Sequence, residues 1–350
     1  MWKDWNIKDL ETTEGKNGLK VFSCFACGGG SSMGYKRAGY SVIGVNEIDP
    51  ELTAIYSKNF PKVKIINMPI QELVSKKAYP PEIYDIDVLD GSPPCSSFSM
   101  AGNREKDWQK DKKFREGQAV QVLDDLFFWF IKVAKEIRPK VVISENVKGM
   151  ISGSAKGYVS EVFRQFDEAG YDTQLFLLNS ASMGVPQKRQ RVFFISRRKD
   201  LNLPKINLSF NEPPITFKEL RKGDGVKKNM TEMEDMLLKN AKPSDSDLAC
   251  INERIRNKRI GFTMKIVRDE QVCFTISSGG AMYSYQEKRH LTANELIRIQ
   301  SFPLDYDFGR NDYSHIKYIL GMSVPPIMMQ KVAEQVAKQI FGLSPTPSVI

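Results

Sequence analysis

The sequence has few cysteines and no long apolar run, and each shortage excludes a class of protein. Its five cysteines, at positions 24, 27, 95, 250 and 273, are odd in number and irregularly spaced, so they do not form a disulfide framework. A reducing, intracellular compartment is therefore expected, in the cytoplasm or nucleoid. The longest apolar run, LFFWFI, is too short to span a bilayer, and the N-terminal stretch has no apolar signal-peptide core.

Metal sites are not indicated either. Cys24 and Cys27 form a single CxxC, but neither a second CxxC nor a nearby histidine completes a zinc site. No metal is therefore predicted.

The composition is that of a folded, basic protein. The chain has 350 residues, of which 41% are hydrophobic, so it can bury a substantial core. Lysine and arginine number 51 against 42 aspartates and glutamates, which gives a net charge of +9. This balance favours a polyanionic partner, although a merely basic surface would give the same number.

Strand-like and helix-like segments alternate along the first half of the chain. Predicted strands cover 19–25, 41–48, 63–67, 86–92, 140–147, 173–180 and 191–197, and predicted helices include 119–137 and 157–169. The alternation predicts an α/β fold with a doubly wound, mostly parallel sheet.

The character of the sequence changes after the last of these strands. Between 198 and 288, prolines, charges and weak periodicity replace the alternation, which predicts a second, smaller domain. An amphipathic helix at 325–342 is expected to dock on the first domain. The expected division is therefore 1–197, 198–288 and 289–350.

A glycine-rich turn, FACGGGSSMG (25–34), joins the first strand to the first helix. In an α/β sheet such a turn is where a nucleotide-like ligand meets a helix N-terminus, although a plain tight turn has the same pattern. The second strand ends in NEID, which places Glu47 to bind ribose hydroxyls, unless it is a solvated helix-start acid. The two features together favour an adenosine-type cofactor.

Two consecutive prolines in LDGSPPCSSFSMAG (89–102) precede Cys95. Proline can neither continue a helix nor donate to a sheet ladder, so the pair fixes the backbone at an exposed corner. A nucleophile would be placed there, whereas a cysteine without such a setting is more often an inert core thiol.

Glu145 ends the strand VVISENV, and PQKRQR places Gln187, Arg189 and Arg191 just before another strand. Strand ends of an open α/β sheet share one edge, so these residues and Cys95 are expected to converge on one pocket. A thiol, an acid and guanidinium donors could attack, protonate and orient one planar heterocycle.

Five blocks in order make the sequence resemble the cytosine-C5 DNA methyltransferase family. GSPPCSSFS resembles the nucleophile motif of that family, ENVKGM its glutamate motif and PQKRQRVFFI its Gln-x-Arg-x-Arg motif. RHLTANELIRIQSFP and GMSVPP resemble its two C-terminal motifs. The blocks run along nearly the whole chain.

The resemblance implies a Rossmann-like methyltransferase that acts on double-stranded DNA, as a monomer and away from membranes. The Cys95 thiolate would attack C6 of a flipped-out cytosine, so that C5 can take a methyl group from S-adenosylmethionine. Glu145 would contact N3 and the exocyclic amine, and Arg191 and Arg189 would hold the O2 side. The cofactor-binding residues that it implies are Phe25, Cys27, Gly28, Gly29, Gly30, Glu47, Ile48, Asn67, Pro94, Met322 and Ser323.

The resemblance also assigns roles to the parts of the chain. Residues 1–197 would form the catalytic and cofactor-binding domain, 198–288 the target-recognition domain, and 289–350 a segment returning to the catalytic domain. The segment 97–118 fits a mobile loop that closes over DNA, or else a solvated loop without a role.

Five positions depart from the family pattern. Cys27 replaces the first glycine of Phe-x-Gly-x-Gly-Gly, Ser23 stands where aspartate is common, and Ser96 replaces a glutamine. Asn67 would substitute for an aspartate near the adenine amine, and Met322 replaces the asparagine of GNxVPP. Ordinary S-adenosylmethionine is favoured, and a modified analogue is the alternative.

Two other functions stay open from the sequence. The 97 residues between Arg191 and Arg289 are few for a DNA-reading domain, so an RNA substrate such as tRNA is one alternative. A weakly active or non-catalytic nucleic-acid-binding protein is the other, which the retained Cys95, Glu145 and Arg191 oppose. The sequence names neither the recognition site nor a restriction, phage or regulatory context.

Overall fold

The computed structural model describes residues 2–94, 111–112, 121–122, 125–152, 156–259 and 263–344. The predicted nucleophile Cys95, Ser96 and all but 111–112 of the predicted 97–118 loop lie outside these residues.

The secondary structure confirms the predicted alternation. The strands are β1 Lys20–Cys24, β2 Ser41–Glu47, β3 Lys64–Asn67, β4 Val88–Gly91, β5 Asp111–Lys112, β6 Gln121–Val122, β7 Val141–Val147, β8 Tyr171–Asn179, β9 Gln187–Lys188, β10 Gln190–Arg198, β11 Met264–Val267, β12 Cys273–Phe274, β13 Ala281–Ser284 and β14 Arg289–His290. The α-helices are α1 Gly30–Arg37, α2 Pro50–Asn59, α3 Ile70–Ser75, α4 Leu126–Ile137, α5 Lys156–Glu168, α6 Glu232–Lys239, α7 Leu248–Arg256, α8 Ala293–Ile299, α9 Tyr313–Met322 and α10 Pro326–Gln339. Short 3-10 helices cover Ile7–Thr12, Pro81–Asp85, Lys148–Ile151, Ser180–Ser182, Lys199–Leu201 and Phe217–Glu219.

Seven strands form the central sheet in the order β3-β2-β1-β4-β7-β10-β8. The first five strands are parallel to one another, whereas β10 is antiparallel to both β7 and β8. The predicted α/β fold with a mostly parallel sheet is therefore confirmed. Because parallel strands end at one edge, the segments after β1, β2, β4 and β7 come together there.

Helices cover both faces of the sheet, which explains why its strands read as nearly continuous apolar runs. Neighbouring residues of β1, Val21 and Phe22, belong to two different hydrophobic cores, as do Val141 and Val142 of β7. Side chains alternate between the faces of a strand, so each strand contributes to both cores.

The helix predicted at 119–137 is shorter than expected. It begins at Leu126, and Gln121–Val122 instead forms strand β6, which pairs antiparallel with β5. Asp125 stands at the N-cap position, where a negative charge meets the positive end of the helix dipole. The apolar spacing around Gln121 and Val122 fits a helix, but these two residues form a strand.

A second, smaller unit lies within the region predicted at 198–288. Strands β11, β13 and β14 form a three-stranded sheet there, and α6 and α7 pack on it. This unit has its own hydrophobic core, which consists of Leu237, Leu238, Leu248, Ile251, Ile266 and Tyr283. Strand β14, at Arg289–His290, lies just beyond the predicted boundary at 288, so the unit extends slightly past that region.

The last helix returns to the first part of the chain, in the position that its amphipathic pattern suggested. A Cβ added to Gly34 of α1 would lie 2.5 Å from the Cβ of Met329 in α10, so the two helices are in close contact. Arg37 Nε donates to Gln330 Oε1 at 2.6 Å, and Tyr40 OH donates to the carbonyl of Ala333 at 3.0 Å. Within the described ranges, no helix is long and apolar enough to cross a membrane.

Candidate cofactor and catalytic site

The turn between β1 and α1 has a strained backbone. Phe25, Cys27 and Gly29 have φ angles of 59°, 47° and 72°, all in the left-handed region that glycine adopts most easily. A non-glycine residue at such an angle costs about 1–2 kcal/mol. The conformation explains why the family pattern has glycine at position 27, and it shows that the surrounding contacts hold Cys27 there.

Glu47 at the end of β2 provides those contacts. Its Oε2 accepts from the amide of Cys27 at 2.8 Å, and its Oε1 accepts from the amides of Ile48 at 2.8 Å and Asp49 at 3.0 Å. Burial raises the pKa of Glu47, and the three amide donors oppose that rise. A carboxylate has about four lone-pair sites, so about one is left to accept from a ligand hydroxyl.

Asn67 at the end of β3 supports the same corner. Its Nδ2 donates to the carbonyls of Glu47 at 2.8 Å and Ile48 at 3.1 Å. The structure therefore brings Asn67 next to the predicted residues Glu47 and Ile48, and its contact with the adenine amine stays a prediction.

The C-terminal segment forms the opposite wall of the turn. A Cβ added to Gly28 would lie 2.7 Å from Ile319 Cγ2 and 2.9 Å from Ser323 Oγ. A Cβ added to Gly30 would lie 2.0 Å from the carbonyl oxygen of Val324, which only glycine tolerates. The structure therefore brings the predicted residues Gly28, Gly30 and Ser323 together.

Two further contacts join this wall to the turn. Tyr306 OH donates to the carbonyl of Gly28 at 2.8 Å, and Cys27 Sγ lies 3.8 Å from Ser323 Oγ. Tyr306 was not predicted, because nothing in its surrounding sequence marks it. Met322 ends α9 with 39% of its surface exposed, and its cofactor role stays a prediction.

Glu145 and Arg191 form a buried ion pair on neighbouring antiparallel strands. Arg191 Nε lies 2.9 Å from Glu145 Oε1, and the two side chains are only 13% and 9% exposed. Burial lowers the pKa of Arg191, and the charge of Glu145 opposes that shift. This pair brings together the predicted acid and the predicted guanidinium donor.

Asn146 connects that pair to the segment preceding Cys95. Its Nδ2 donates to the carbonyl of Pro93 at 3.0 Å, and its Oδ1 accepts from the amide of Val147 at 2.8 Å. Asn146 lies within the ENV motif but was not predicted as a site residue. Its contact shows that β7 positions Pro93 and Pro94, the last described residues before Cys95. The ring of the predicted cofactor residue Phe25 lies 6.4 Å from that of Phe130 in α4.

Arg189 makes different contacts from Arg191. Its guanidinium donates to the carbonyls of Ile276 at 3.2 Å, Gly321 at 3.1 Å and Ser323 at 3.2 Å. Burial holds the pKa of Arg189 well below its ordinary value. These bonds join Arg189, just before β10, to the segment after β12 and to the end of α9. The predicted contact with cytosine O2 stays a prediction.

A glutamine pair extends this network. Gln187 Nε2 donates to Gln300 Oε1 at 2.6 Å, and Gln300 Nε2 donates to the carbonyl of Ser323 at 2.7 Å. Gln187 Oε1 accepts from the amide of Ile276 at 3.0 Å. Gln300 was not predicted, although it lies within the RIQSFP block.

The described residues contain no group of three or more histidine, cysteine or acidic side chains that could hold a metal ion. The site is instead built from a glycine turn, buried carboxylates and buried guanidiniums.

Comparison with known proteins decides the family. Residues 19–338 match the model of the C-5 cytosine-specific DNA methylases. The chain belongs to this family. It is accordingly an enzyme of the DNA (cytosine-5) methyltransferase class.

Individual relatives cover almost the whole chain. The Type II methyltransferase M.FnuDI of Fusobacterium nucleatum is 29% identical, over 92% of this chain and 95% of the relative. The Type II methyltransferase M.NgoPII of Neisseria gonorrhoeae is 27% identical, over 93% and 97%. A prophage-encoded E. coli protein described as a DNA modification methyltransferase has the same fold, with a TM-score of 0.65 and 20% identity over 92% of this chain and 99% of its own.

Proposed function

We propose that this methyltransferase transfers a methyl group from S-adenosylmethionine to C5 of a flipped-out cytosine in double-stranded DNA. The observation that carries the proposal is the buried Glu145–Arg191 pair, whose neighbour Asn146 binds the proline segment leading into Cys95. An acid, a guanidinium and a thiol-bearing segment at one sheet edge are the groups that activate a pyrimidine ring.

The cofactor turn fits an adenosine-type ligand. Gly28, Gly29 and Gly30 let Ile319, Phe60 and Val324 pack closely against the turn at the N-terminus of α1, and Glu47 retains an acceptor site for a ribose hydroxyl. S-adenosylmethionine supplies an electrophilic methyl group when bound. We assign the remaining contacts to the other residues that the resemblance implied, which are Phe25, Cys27, Ile48, Asn67, Pro94, Met322 and Ser323.

The chain's own residues perform the activation of the base. Cytosine C5 is a poor nucleophile, so the Cys95 thiolate adds to C6 and makes C5 an enamine carbon that can take a methyl group. The C5 proton is then lost, and the electron pair of that C–H bond re-forms the C5–C6 double bond as the thiolate leaves C6. Each turnover thereby regenerates the free thiolate.

Glu145 and Arg191 support that sequence from the ring's polar edge. Glu145 contacts N3 and the exocyclic amine, which favours the movement of electron density into the ring. Arg191, already paired with Glu145, holds the O2 side. Because these ring atoms are inaccessible in a duplex, the cytosine must leave the stack.

The net charge and the relatives support a DNA substrate and a cellular role. A net charge of +9 suits a phosphate-tracking DNA surface. The relatives named above are Type II methyltransferases, so we place this chain in a restriction-modification system inside the cell.

The test is covalent trapping on duplex DNA that contains 5-fluorocytosine, because fluorine at C5 blocks the final elimination and holds the adduct. We expect the parent protein to form a complex that survives denaturing electrophoresis, and Cys95→Ser to form none while it still binds DNA. Cys250→Ser, which changes a partly exposed cysteine of α7, is the matched control and should be trapped as well as the parent.

Methylation by Cys95→Ser at the parent's rate would exclude the covalent route. Bisulfite sequencing of DNA from expressing cells identifies the methylated sites. A product found in tRNA and not in DNA would overturn the DNA substrate, and no product in either would indicate a non-catalytic binder.

A further inference from the structure

Asp90 is a buried carboxyl that the chemistry proposed above does not use. It lies in β4, in register with Ser23 of β1 on one side and Ile143 of β7 on the other, and is only 2% exposed. Strand β1 leads into the cofactor turn, whereas β4 leads through Pro93 and Pro94 to Cys95. Asp90 therefore lies in the sheet close to the point where both segments leave it.

Two hydroxyls from the elements that flank the cofactor turn reach this carboxyl. Ser23 Oγ, two residues before Phe25, donates to Asp90 Oδ2 at 2.6 Å. Tyr35 OH, from the helix that follows the turn, donates to Asp90 Oδ1 at 3.3 Å. One carboxyl in the strand before the nucleophile thus binds both sides of the turn.

The charge of this carboxyl is poorly compensated. In the part of the chain that the structure describes, no lysine or arginine forms an ion pair with Asp90. Burial raises the pKa of Asp90 to about 7, hydroxyl donors such as Ser23 oppose the rise, and the negative charge of Glu145 adds to it. The carboxyl therefore changes its protonation near neutral pH.

The other titratable groups that surround Asp90 do not follow it. Burial raises the pKa of the Cys24 thiol in β1, and of the phenols of Tyr35 in α1 and Tyr56 in α2, far above neutral. These three groups stay protonated while Asp90 titrates. On the side of β7, the facing charged group is Glu145.

We propose that Asp90 is a positioning residue for the cofactor, whose carboxylate holds the 25–30 turn in register with the segment that leads to Cys95. The proposal rests on the proposed function, because it takes the turn to bind S-adenosylmethionine. A carboxylate accepts from both hydroxyls at once, whereas a protonated carboxyl carries a hydrogen on one oxygen, so the hydroxyl that faces this hydrogen must stop donating and accept instead. Cofactor affinity is therefore expected to increase as pH rises through the neutral range.

The test is the dissociation constant of S-adenosylmethionine, measured by calorimetry near pH 6 and near pH 8. We expect the parent to bind S-adenosylmethionine about fivefold more tightly near pH 8 than near pH 6. Asp90→Asn should lose most of this gain, because the gain is linked to the titration of this one carboxyl. Any titration of the ligand itself affects both proteins equally and cancels in their ratio. Asp85→Asn, an exposed aspartate just before β4, is the matched control and should behave like the parent.

Equal pH dependence in the parent and a folded Asp90→Asn protein would overturn the role of Asp90. If that variant does not fold, Ser23→Ala keeps the carboxyl and removes one donor to it. Ser23→Ala should weaken binding near pH 8 and shift the pH midpoint upward, and an unchanged profile would equally overturn the proposal. A parent that binds no S-adenosylmethionine at either pH would instead overturn the proposed function, and this role with it.

Discussion

At the scale of single residues, Glu47 joins the tip of β2 to the cofactor turn through three backbone amides. Its position at the end of a strand after a glycine turn was readable from the sequence, because that pattern is local. The partners of Asn146 and Tyr306 were not readable, since they lie 53 and 278 positions away along the chain. Local patterns thus indicated candidate ligand-binding groups, whereas the groups that hold these candidates in place depend on residues far along the chain.

The conservative change Glu47→Gln tests the carboxylate in the cofactor turn. The amide replaces one acceptor oxygen by an NH₂ group, which faces backbone donors and cannot accept from a ribose hydroxyl. We expect S-adenosylmethionine to bind about tenfold more weakly, the loss typical of one charge-assisted hydrogen bond. Calorimetry measures this loss, with the partly exposed Glu51→Gln as control. Equal affinity in both variants would remove Glu47 from the ribose role.

A substitution at Met322 can test the family pattern with little effect on the stability of the fold. Because its side chain is substantially exposed, Met322→Asn should change the free energy of unfolding by less than about 0.5 kcal/mol. Affinity for S-adenosylmethionine should stay the same or improve, because asparagine can donate a hydrogen bond and methionine cannot. Much weaker binding in calorimetry would show that Met322 itself packs against the cofactor.

At the scale of elements, the strands were predictable because apolar runs bounded by glycine, proline or charged residues have the length of buried strands. The position of β10 in the sheet was not predictable, because its insertion between β7 and β8 depends on pairing with residues far along the chain. The predicted start of α4 at residue 119 was wrong for a related reason. Apolar spacing before Leu126 fits a helix locally, and only the pairing of β6 with β5 decides against it.

Arg189, just before β10, binds the segment after β12 and the end of α9, so its removal should affect how these elements are held together. Arg189→Ala takes a donor from three carbonyls that lie largely inside the protein, and we expect a loss on the order of 3 kcal/mol in the free energy of unfolding. Urea denaturation measures this, with the exposed neighbour Lys188→Ala as control. A variant that keeps the parent's stability yet cannot be trapped on fluorocytosine DNA would instead support the direct contact with cytosine O2.

At the scale of the whole molecule, the excess of positive charge predicts salt-sensitive DNA binding. Each phosphate that is neutralised releases a counterion, so affinity should fall by a factor on the order of a hundred or more between about 50 and 200 mM salt. Fluorescence anisotropy with a duplex oligonucleotide measures the slope. Affinity for S-adenosylmethionine, measured alongside, should change far less, and a flat slope for DNA would exclude a phosphate-tracking cleft.

The C-terminal segment forms the second wall of the cofactor turn, and this has a consequence for when the site is completed during protein synthesis. Cys27 and Ser323 lie 296 positions apart, yet they meet in the finished site. At about 5–20 residues per second, a ribosome needs roughly 15–60 s to make the chain between them. Throughout that time the nascent turn lacks its second wall. If the turn binds S-adenosylmethionine as proposed, we expect cofactor binding and methylation only after synthesis has passed Val324.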